Sequence, residues 1–251
     1  MESYATAQQV WVGGLILFRV GSMVMILPGI GETYVPPRLR LCLALLIAVC
    51  LAPIVGPSLP PIPDTVGAMA GAVIKESLIG LMMGALIQLF MFTLTATGEL
   101  ISLQTTLSFA QTANPTEATP GTTVSTFLSI TGLTLVFVTD LHHLFIAAIA
   151  HSYTVFTPTK ALNLNDAGAL AIQTVGRCFA LALQLAAPVI VFSLVFNLAT
   201  GLVGRVMPQV QIFFVAAPLS LLFGLSIFAL SLGGIGLIWM QHFDTFMRLF
   251  V

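Results

Sequence analysis

Two long apolar runs and the short connection between them decide the fold, and they lie in residues 177–234, RCFALALQLAAPVIVFSLVFNLATGLVGRVMPQVQIFFVAAPLSLLFGLSIFALSLGG. The runs, residues 181–198 and 212–232, carry no formal charge and each have roughly the 20 residues that a helix needs to cross a bilayer. The connection, residues 201–209, contains two glycines that can adopt a left-handed helix cap and a proline that ends the first helix. The sequence therefore predicts a membrane-type helical hairpin with its turn at residues 201–209.

Both legs of this hairpin contain the tripeptide Ala-Ala-Pro, at residues 186–188 and 216–218. A proline inside a helix removes one backbone hydrogen bond and favours a kink. Membrane helices tolerate prolines because neighbouring helices satisfy the freed backbone groups. We therefore expect two kinked legs, and two short matches do not establish a repeat.

The composition indicates a chain that is covered by lipid or by other apolar chains. It is 58% hydrophobic and 7% charged, with a mean hydropathy of +1.06, so polar residues are too few to cover a soluble surface. A net charge of -1 without a basic run argues against nucleic acid as a partner. Cys42, Cys50 and Cys178 lie in apolar runs, and we expect buried free thiols.

Arg19 interrupts the first apolar run, residues 10–27, too centrally to reach the bilayer surface. It is either a functional residue or an arginine held by helix-end carbonyls for structural reasons. The following residues, 28–40, are rich in breakers and predict a loop that carries Arg38 and Arg40. The positive-inside rule places this loop in the cytoplasm and the proline-rich connector 56–64 outside. Residues 1–9 lack the basic start of a cleaved signal peptide, so we expect them to be retained.

A second long apolar stretch, residues 66–97, carries Lys75 and Glu76 side by side. Neighbouring residues project in different directions on a helix, so we expect each charge to seek a partner on another chain. The pattern softens after Glu99, and residues 100–110 predict an irregular loop that continues to residue 121. Irregular backbone at membrane depth has to be buried in protein or lie beside water, so this loop indicates a pore or cavity.

One cluster, Asp140, His142 and His143 with the later His151, has residue types that serve catalysis or metal binding. On a helix Asp140 and His143 share a face, but His151 lies two turns further on, too far for the same ion. We therefore predict no catalytic residue, no cofactor and no metal site. Two functions stay open at this point. One is a membrane enzyme that uses Asp140 and His143, and the other is a stand-alone small-molecule transporter, a class whose sites are built from broken helices and embedded polar residues.

Several stretches, in their order and spacing, resemble one family over nearly the whole chain. They are Arg19 followed by Leu27-Pro28 and by VPPRLR at 35–40, GELISLQ at 98–104 leading to Asn114-Pro115, His142-His143 ahead of Ser152, and GLVGRVMPQVQIF at 201–213. This pattern is similar to the FliR/SctT family of type III secretion export gate subunits, which comprises flagellar FliR proteins and their virulence-secretion counterparts. One departure is Thr105-Thr106, where the family often has glycine.

The resemblance implies an all-α fold of membrane-associated helical hairpins with Pro/Gly-broken helices. A FliP-like part would span residues 1–175, and a FliQ-like hairpin with the C-terminal tail would span residues 176–251. The implied function is that of an export gate subunit that forms, with FliP and FliQ, a pore for unfolded flagellar proteins. FlhB and FlhA are further implied partners, and an injectisome subunit is the alternative within the family.

The resemblance also implies a location in the bacterial inner membrane, at the flagellar basal body, with part of the chain raised above the bilayer on the periplasmic side. It places a pore plug in the loop at Ser108, Phe109, Ala110, Gln111, Asn114 and Pro115. We predict assembly contacts at the charged residues and at the hairpin proline, namely Arg19, Arg38, Arg40, Lys75, Glu76, Arg205 and Pro208.

Overall fold

The computed structural model describes residues 2–107, 121–158, 164–207 and 212–250. The helices in these ranges are α1 (Glu2–Val24), α2 (Pro37–Val55), α3 (Val66–Gln104), α4 (Thr123–Val138), α5 (His142–Val155), α6 (Leu164–Val206) and α7 (Ile212–Met247), and a 3-10 turn (Gly56–Ser58) follows α2. The described residues contain no β-strand. The predicted all-α fold is confirmed.

Within the described ranges, four segments are long and apolar enough to cross a membrane: Pro37–Ser58, Val66–Gln104, Asn165–Val206 and Phe214–Met247. A fifth crossing arises if α4 and α5, which are separated by a three-residue break, act together as one broken span. The chain therefore has the helices of a membrane protein, as its composition predicts.

The predicted hairpin is confirmed, but its turn begins later than expected. Residues 201–206 continue α6, and neither Gly201 nor Gly204 has a positive φ. A glycine costs a helix only about 1 kcal/mol relative to alanine, so helical hydrogen bonding continues through both. The helix ends at Val206 because a proline, Pro208, disfavours helical backbone in the residue before it. Residues 208–211, including Pro208, lie outside the described residues.

The two legs of the hairpin, α6 and α7, have 43 and 36 residues and extend well beyond the apolar runs that predicted them. Phe192 of α6 and Phe223 of α7 have ring centroids 6.3 Å apart. Pro188 and Pro218 lie inside α6 and α7, and each helix continues past its proline.

The prediction that Arg38 and Arg40 lie in a loop is wrong, because α2 begins at Pro37. Proline is favoured at the first helical position, where its fixed φ suits the helix and its missing N–H is not needed. Both arginines are therefore helical residues. The exposed Cys42 and Cys50 on the same helix also contradict the expected burial, since only 22% of the apolar window of α2 is buried within the chain. Cys178 is a buried free thiol, as expected.

The loop predicted from residue 100 onward is also wrong in its first part, because α3 extends to Gln104. Hydroxyl side chains at the end of α3 donate to carbonyls four residues earlier in the same helix: Thr97 to Thr93 at 2.8 Å and Thr105 to Ile101 at 2.9 Å. Bonds of this kind let polar residues remain in an apolar helix without breaking it.

The chain forms two compact units. Unit 1 comprises Met1–Phe90, Asp140–Val175 and Asp244–Val251, and unit 2 comprises Met91–Thr139 and Gly176–Phe243. Apolar residues of α1, α3 and α5 fill the core of unit 1, including Ile16, Val20, Ile79, Ile87 and Ala148. The core of unit 2 includes Leu128, Val136, Ala182, Val189 and Trp239. The division into a FliP-like part, residues 1–175, and a FliQ-like part, residues 176–251, stays a prediction.

Candidate functional site

Arg19 is the centre of a buried polar network in unit 1. Its side chain is 1% exposed and that of Glu76 on α3 is 2% exposed, and Nε of Arg19 donates to Oε2 of Glu76 at 2.5 Å. The guanidinium also lies over the ring of Tyr153, with Cζ 4.0 Å from the ring centroid. A buried charge is tolerated only when it is paired and hydrogen-bonded, and Arg19 meets both conditions within this chain.

The other N–H groups of Arg19 bind the C-terminal end of α5. Nη1 donates to the backbone oxygen of Ser152 at 3.0 Å and to its Oγ at 3.3 Å, and Nη2 donates to the backbone oxygen of Phe156 at 3.0 Å. The backbone oxygen of Ser152 also accepts from the N–H of Phe156 at 2.9 Å, and because carbonyls at the end of a helix carry partial negative charge, a cation is favourable there. These contacts match the second sequence alternative, an arginine held by helix-end carbonyls.

Lys75, next to Glu76 on α3, binds a backbone carbonyl just after the end of α5. Its Nζ donates to the backbone oxygen of Pro158 at 2.5 Å, while the neighbouring Glu76 pairs with Arg19. The expectation that the two residues project in different directions is therefore met. Their partners, however, lie in this chain, so another chain is not needed to satisfy them. An additional role of Arg19, Lys75 and Glu76 in assembly stays a prediction.

The network depends on a close approach of α1 to α3. A Cβ on Gly80 would lie nearer to the backbone oxygen of Arg19 and to Oγ of Ser22 than real Cβ atoms come to other atoms. A Cβ on Gly84, one turn later, would meet the backbone oxygen of Met23 at 3.1 Å. Glycines four residues apart on one face of a helix allow a second helix to pack closely. The sequence showed these glycines but not the surface that they contact.

The remaining predicted assembly residues are separate from this network. Arg40 donates through Nε to the backbone oxygen of Val35 at 3.1 Å and through Nη2 to the backbone oxygen of Glu32. These two hydrogen bonds stabilise the turn before α2. Arg38 is exposed. Arg205 is exposed in the last turn of α6, where a positive charge interacts favourably with the helix dipole. Pro208 lies outside the described residues.

All six residues of the predicted plug, Ser108, Phe109, Ala110, Gln111, Asn114 and Pro115, lie outside the described residues as well. The residues on either side of that segment are described, and they are tied together in unit 2. A carboxylate oxygen of Glu99 accepts from the backbone N–H of Thr122 at 2.9 Å, and Ser102 donates to Oγ1 of Thr122 at 2.8 Å. The end of α3 and the start of α4 are therefore held side by side.

Thr122 completes this junction as the N-cap of α4, because its side chain accepts from the N–H of Ser125 at 3.2 Å. Gly98 faces Ser125 so closely that any side chain would collide with its backbone. Sequence reasoning assigned no role to Gly98 or Glu99. A carboxylate is favourable at a helix N-terminus, but Glu99 lies 23 residues before Thr122, so no local spacing in the sequence indicates this contact.

A cleft of about 340 Å³ in unit 2 has Thr106, two residues after the end of α3, in its lining. Its lining combines residues of both hairpin legs with Thr106, and its polar members are Thr106, Asn197, Thr200 and Ser220. Gln104, the last residue of α3, accepts from Ser193 of α6 at 2.7 Å, which fixes this end of α3 to the hairpin. Polar side chains thus line a gap between otherwise apolar helices.

The cluster considered for metal binding or catalysis lies at the start of α5, in unit 1. Asp140 is not helical, since its φ is +59°, so the helical geometry assumed for Asp140 and His143 is wrong. One ligand atom from each of Asp140, His142 and His143 lies within 4.8 Å of the others. His151 is not part of this group, as the sequence predicts.

Comparison with known proteins shows the family of this chain. The family described as "Bacterial export proteins, family 1" matches residues 10–246. The flagellar biosynthetic protein FliR of Caulobacter vibrioides is 59% identical over 250 residues, which cover 100% of both chains. FliR of Escherichia coli is 32% identical over 85% of this chain and 81% of the relative, and FliR of Aquifex aeolicus is 29% identical over 94% and 91%. The chain belongs to family 1 of the bacterial export proteins, the family that the motifs around Arg19, Glu99, His142 and Arg205 predict.

Proposed function

We propose that this chain is a subunit of the flagellar protein export apparatus and that it forms, with FliP and FliQ subunits, the pore through which unfolded flagellar proteins leave the cell. FlhB and FlhA are the further partners that we propose. The family membership and the FliR relatives support an export role rather than an enzymatic one. The proposed location is the inner membrane at the flagellar basal body.

The observation that carries the proposal is the length of exposed apolar surface on α6. Large apolar side chains are exposed from Ile172 (77%) through Leu194 (68%) to Val206 (80%). At 1.5 Å per residue these positions extend over roughly 50 Å of helix, whereas the hydrocarbon core of a bilayer is about 30 Å thick. Tilting by up to about 40° still leaves part of this surface outside the core.

Apolar surface that lipid does not reach has to be covered by protein. Only 33% of the apolar window of α6 and 17% of that of α7 are buried within the chain. A helix that is apolar on most sides is stable inside a membrane or inside a larger protein. Because the apolar surface of α6 is longer than the hydrocarbon core is thick, we expect lipid to cover one part of it and other subunits to cover the rest. This favours a subunit whose hairpin packs on FliP and FliQ, partly raised above the bilayer on the periplasmic side. A stand-alone transporter would leave this surface uncovered.

We further propose that residues 108–121 plug the pore when no substrate is present. Two described features support this position: the junction of Glu99 with Thr122 returns the chain to the end of α3, and a cleft that contains Thr106 lies next to the start of the segment and has four polar side chains in its lining. Phe109 would seal the pore by excluding water. The segment from Ala110 to Ala113 has no charge that would anchor it shut.

Purification tests the partnership. The chain expressed together with FliP and FliQ is expected to purify in mild detergent as one hetero-oligomer of fixed composition, and the chain expressed alone is expected to aggregate or to be degraded. A monodisperse, protease-resistant monomer that binds a small solute saturably would overturn the proposal in favour of a transporter. Motility of a deletion strain, restored by the chain, would separate the flagellar role from an injectisome role.

Ion flux tests the plug. Phe109→Ala in the assembled complex is expected to let ions leak across the membrane, while Thr112→Ala in the same segment serves as a matched control and stays tight. Shortening residues 108–121 is expected to give a larger leak. If the complex assembles normally and both Phe109→Ala and the shortened segment are as tight to ions as the parent, the plug assignment is wrong.

A further inference from the structure

The break between α4 and α5 brings together three metal-ligating side chains that the export role does not use. One ligand atom from each of Asp140, His142 and His143 lies within 4.8 Å of the others. Asp140 and His143 are exposed and His142 is half-buried, so an ion can reach the group from solvent. We propose that these residues form a binding site for a divalent transition metal ion, with Zn²⁺ as the best match.

The local backbone conformation brings the side chain of His142 into the group as the third ligand. If residues 140–143 were one continuous helix, Asp140 and His143 would share a face and His142 would point about 100° away from His143. Instead, α4 ends at Val138, α5 begins at His142, and Asp140 adopts the left-handed conformation with φ +59°. Aspartate tolerates this conformation better than most residues. The rings of His142 and His143 come to 4.2 Å between centroids, so both histidines belong to the group.

The hydrogen bonding of His143 prepares it as a ligand. Its Nδ1 lies 3.2 Å from the backbone oxygen of Asp140. A carbonyl oxygen can only accept, so Nδ1 carries the proton and Nε2 of the neutral ring keeps its lone pair. Histidines that bind metal commonly donate their second ring N–H to a backbone carbonyl in this way, which fixes both the tautomer and the ring orientation.

The donor set selects the type of metal. Two imidazole nitrogens and one carboxylate oxygen suit Zn²⁺ and its neighbours Co²⁺ and Ni²⁺, whereas Mg²⁺ and Ca²⁺ prefer oxygen ligands. Ligands on one tetrahedral Zn²⁺ lie roughly 3.3 Å apart, given Zn–N distances of about 2.0 Å. We expect the exposed side chain of Asp140 to close part of this difference by rotation when the ion binds. Three ligands from this chain leave one coordination position for water or for a group from a partner.

Zinc binding to the full-length chain without a polyhistidine tag tests the site. The complex of this chain with FliP and FliQ, in mild detergent, is dialysed against Zn²⁺ and analysed for bound metal per copy of this chain, and its affinity is measured by competition with a chromophoric chelator. We expect one Zn²⁺ per chain, and at least tenfold weaker binding in each of Asp140→Asn, His142→Ala and His143→Ala. His151→Ala, an exposed histidine on the same helix but outside the group, is the matched control and is expected to bind like the parent.

X-ray absorption of the parent with bound Zn²⁺ provides a readout that does not depend on variants, and two imidazole ligands are expected in the first coordination sphere. The proposal is overturned if the parent binds no stoichiometric Zn²⁺. It is equally overturned if the three site variants bind as tightly as His151→Ala, or if the absorption spectrum shows fewer than two imidazoles, because the metal would then be held elsewhere on the chain.

Discussion

Removing the carboxylate of Glu76 tests whether the Arg19 network supports the fold. Glu76→Ala would leave the guanidinium of Arg19, which is 1% exposed, without its counter-ion. Breaking a buried ion pair from one side costs about 3–5 kcal/mol. The carbonyls of Ser152 and Phe156 still receive N–H groups of Arg19, so we expect the lower end, about 3 kcal/mol. For a chain of this size, that corresponds to a fall in melting temperature of roughly 6–12 °C.

Thermal unfolding of the complex with FliP and FliQ in mild detergent, compared between the parent and each variant of this chain, measures this loss. Glu76→Gln keeps an oxygen that can accept from Nε of Arg19 and is expected to lose less stability than Glu76→Ala. The double variant Arg19→Met with Glu76→Leu removes both charges and is expected to be more stable than Glu76→Ala, since apolar replacement of a whole buried pair is often neutral.

The exposed pair Arg248–Asp244, with Nε and Oδ2 2.7 Å apart and side chains 70% and 33% exposed, is the matched control. Asp244→Ala breaks a pair of similar geometry that is far more exposed, and we expect no measurable change in melting temperature. The reasoning is refuted if Glu76→Ala melts like Asp244→Ala, or if the double variant is less stable than Glu76→Ala.

Two further predictions concern packing and assembly. Gly80→Ala is expected to destabilise the chain by about 1–3 kcal/mol, because its Cβ would collide with the backbone of Arg19. Gly71→Ala on the same helix is the control, since its Cβ would meet open space and no loss of stability is expected. Equal melting temperatures of the two variants would contradict the close contact of α1 with α3. Arg205→Ala is expected to lower the yield of the complex with FliP and FliQ, and Arg205→Lys to restore it only partly because lysine lacks the planar donor fork; normal yields in both variants would remove Arg205 from assembly.

The sequence alone determined the class of this protein. Uncharged runs of membrane length predicted the helices, and the spacing around Pro208 predicted the hairpin, because hydrophobic patterning and backbone restrictions act locally. The motifs at Arg19, Glu99, His142 and Arg205 predicted the family. The position of Arg19 in the middle of an apolar run also indicated that its charge needs partners, since burying an unpaired charge is costly in any fold.

Only the tertiary structure decided which partners these are. Glu76 lies 57 residues from Arg19 and Ser152 lies 133 residues away, and no local rule connects positions so distant in the chain. The helix ends were equally hard to predict, because Gly201, Gly204 and residues 98–104 break a helix only when nothing else holds it. The grouping of His142 with Asp140 and His143 depends on a left-handed residue at a helix break, whereas sequence reasoning assumed a continuous helix. Periodicity describes one regular element at a time, and these sites form where elements meet or end.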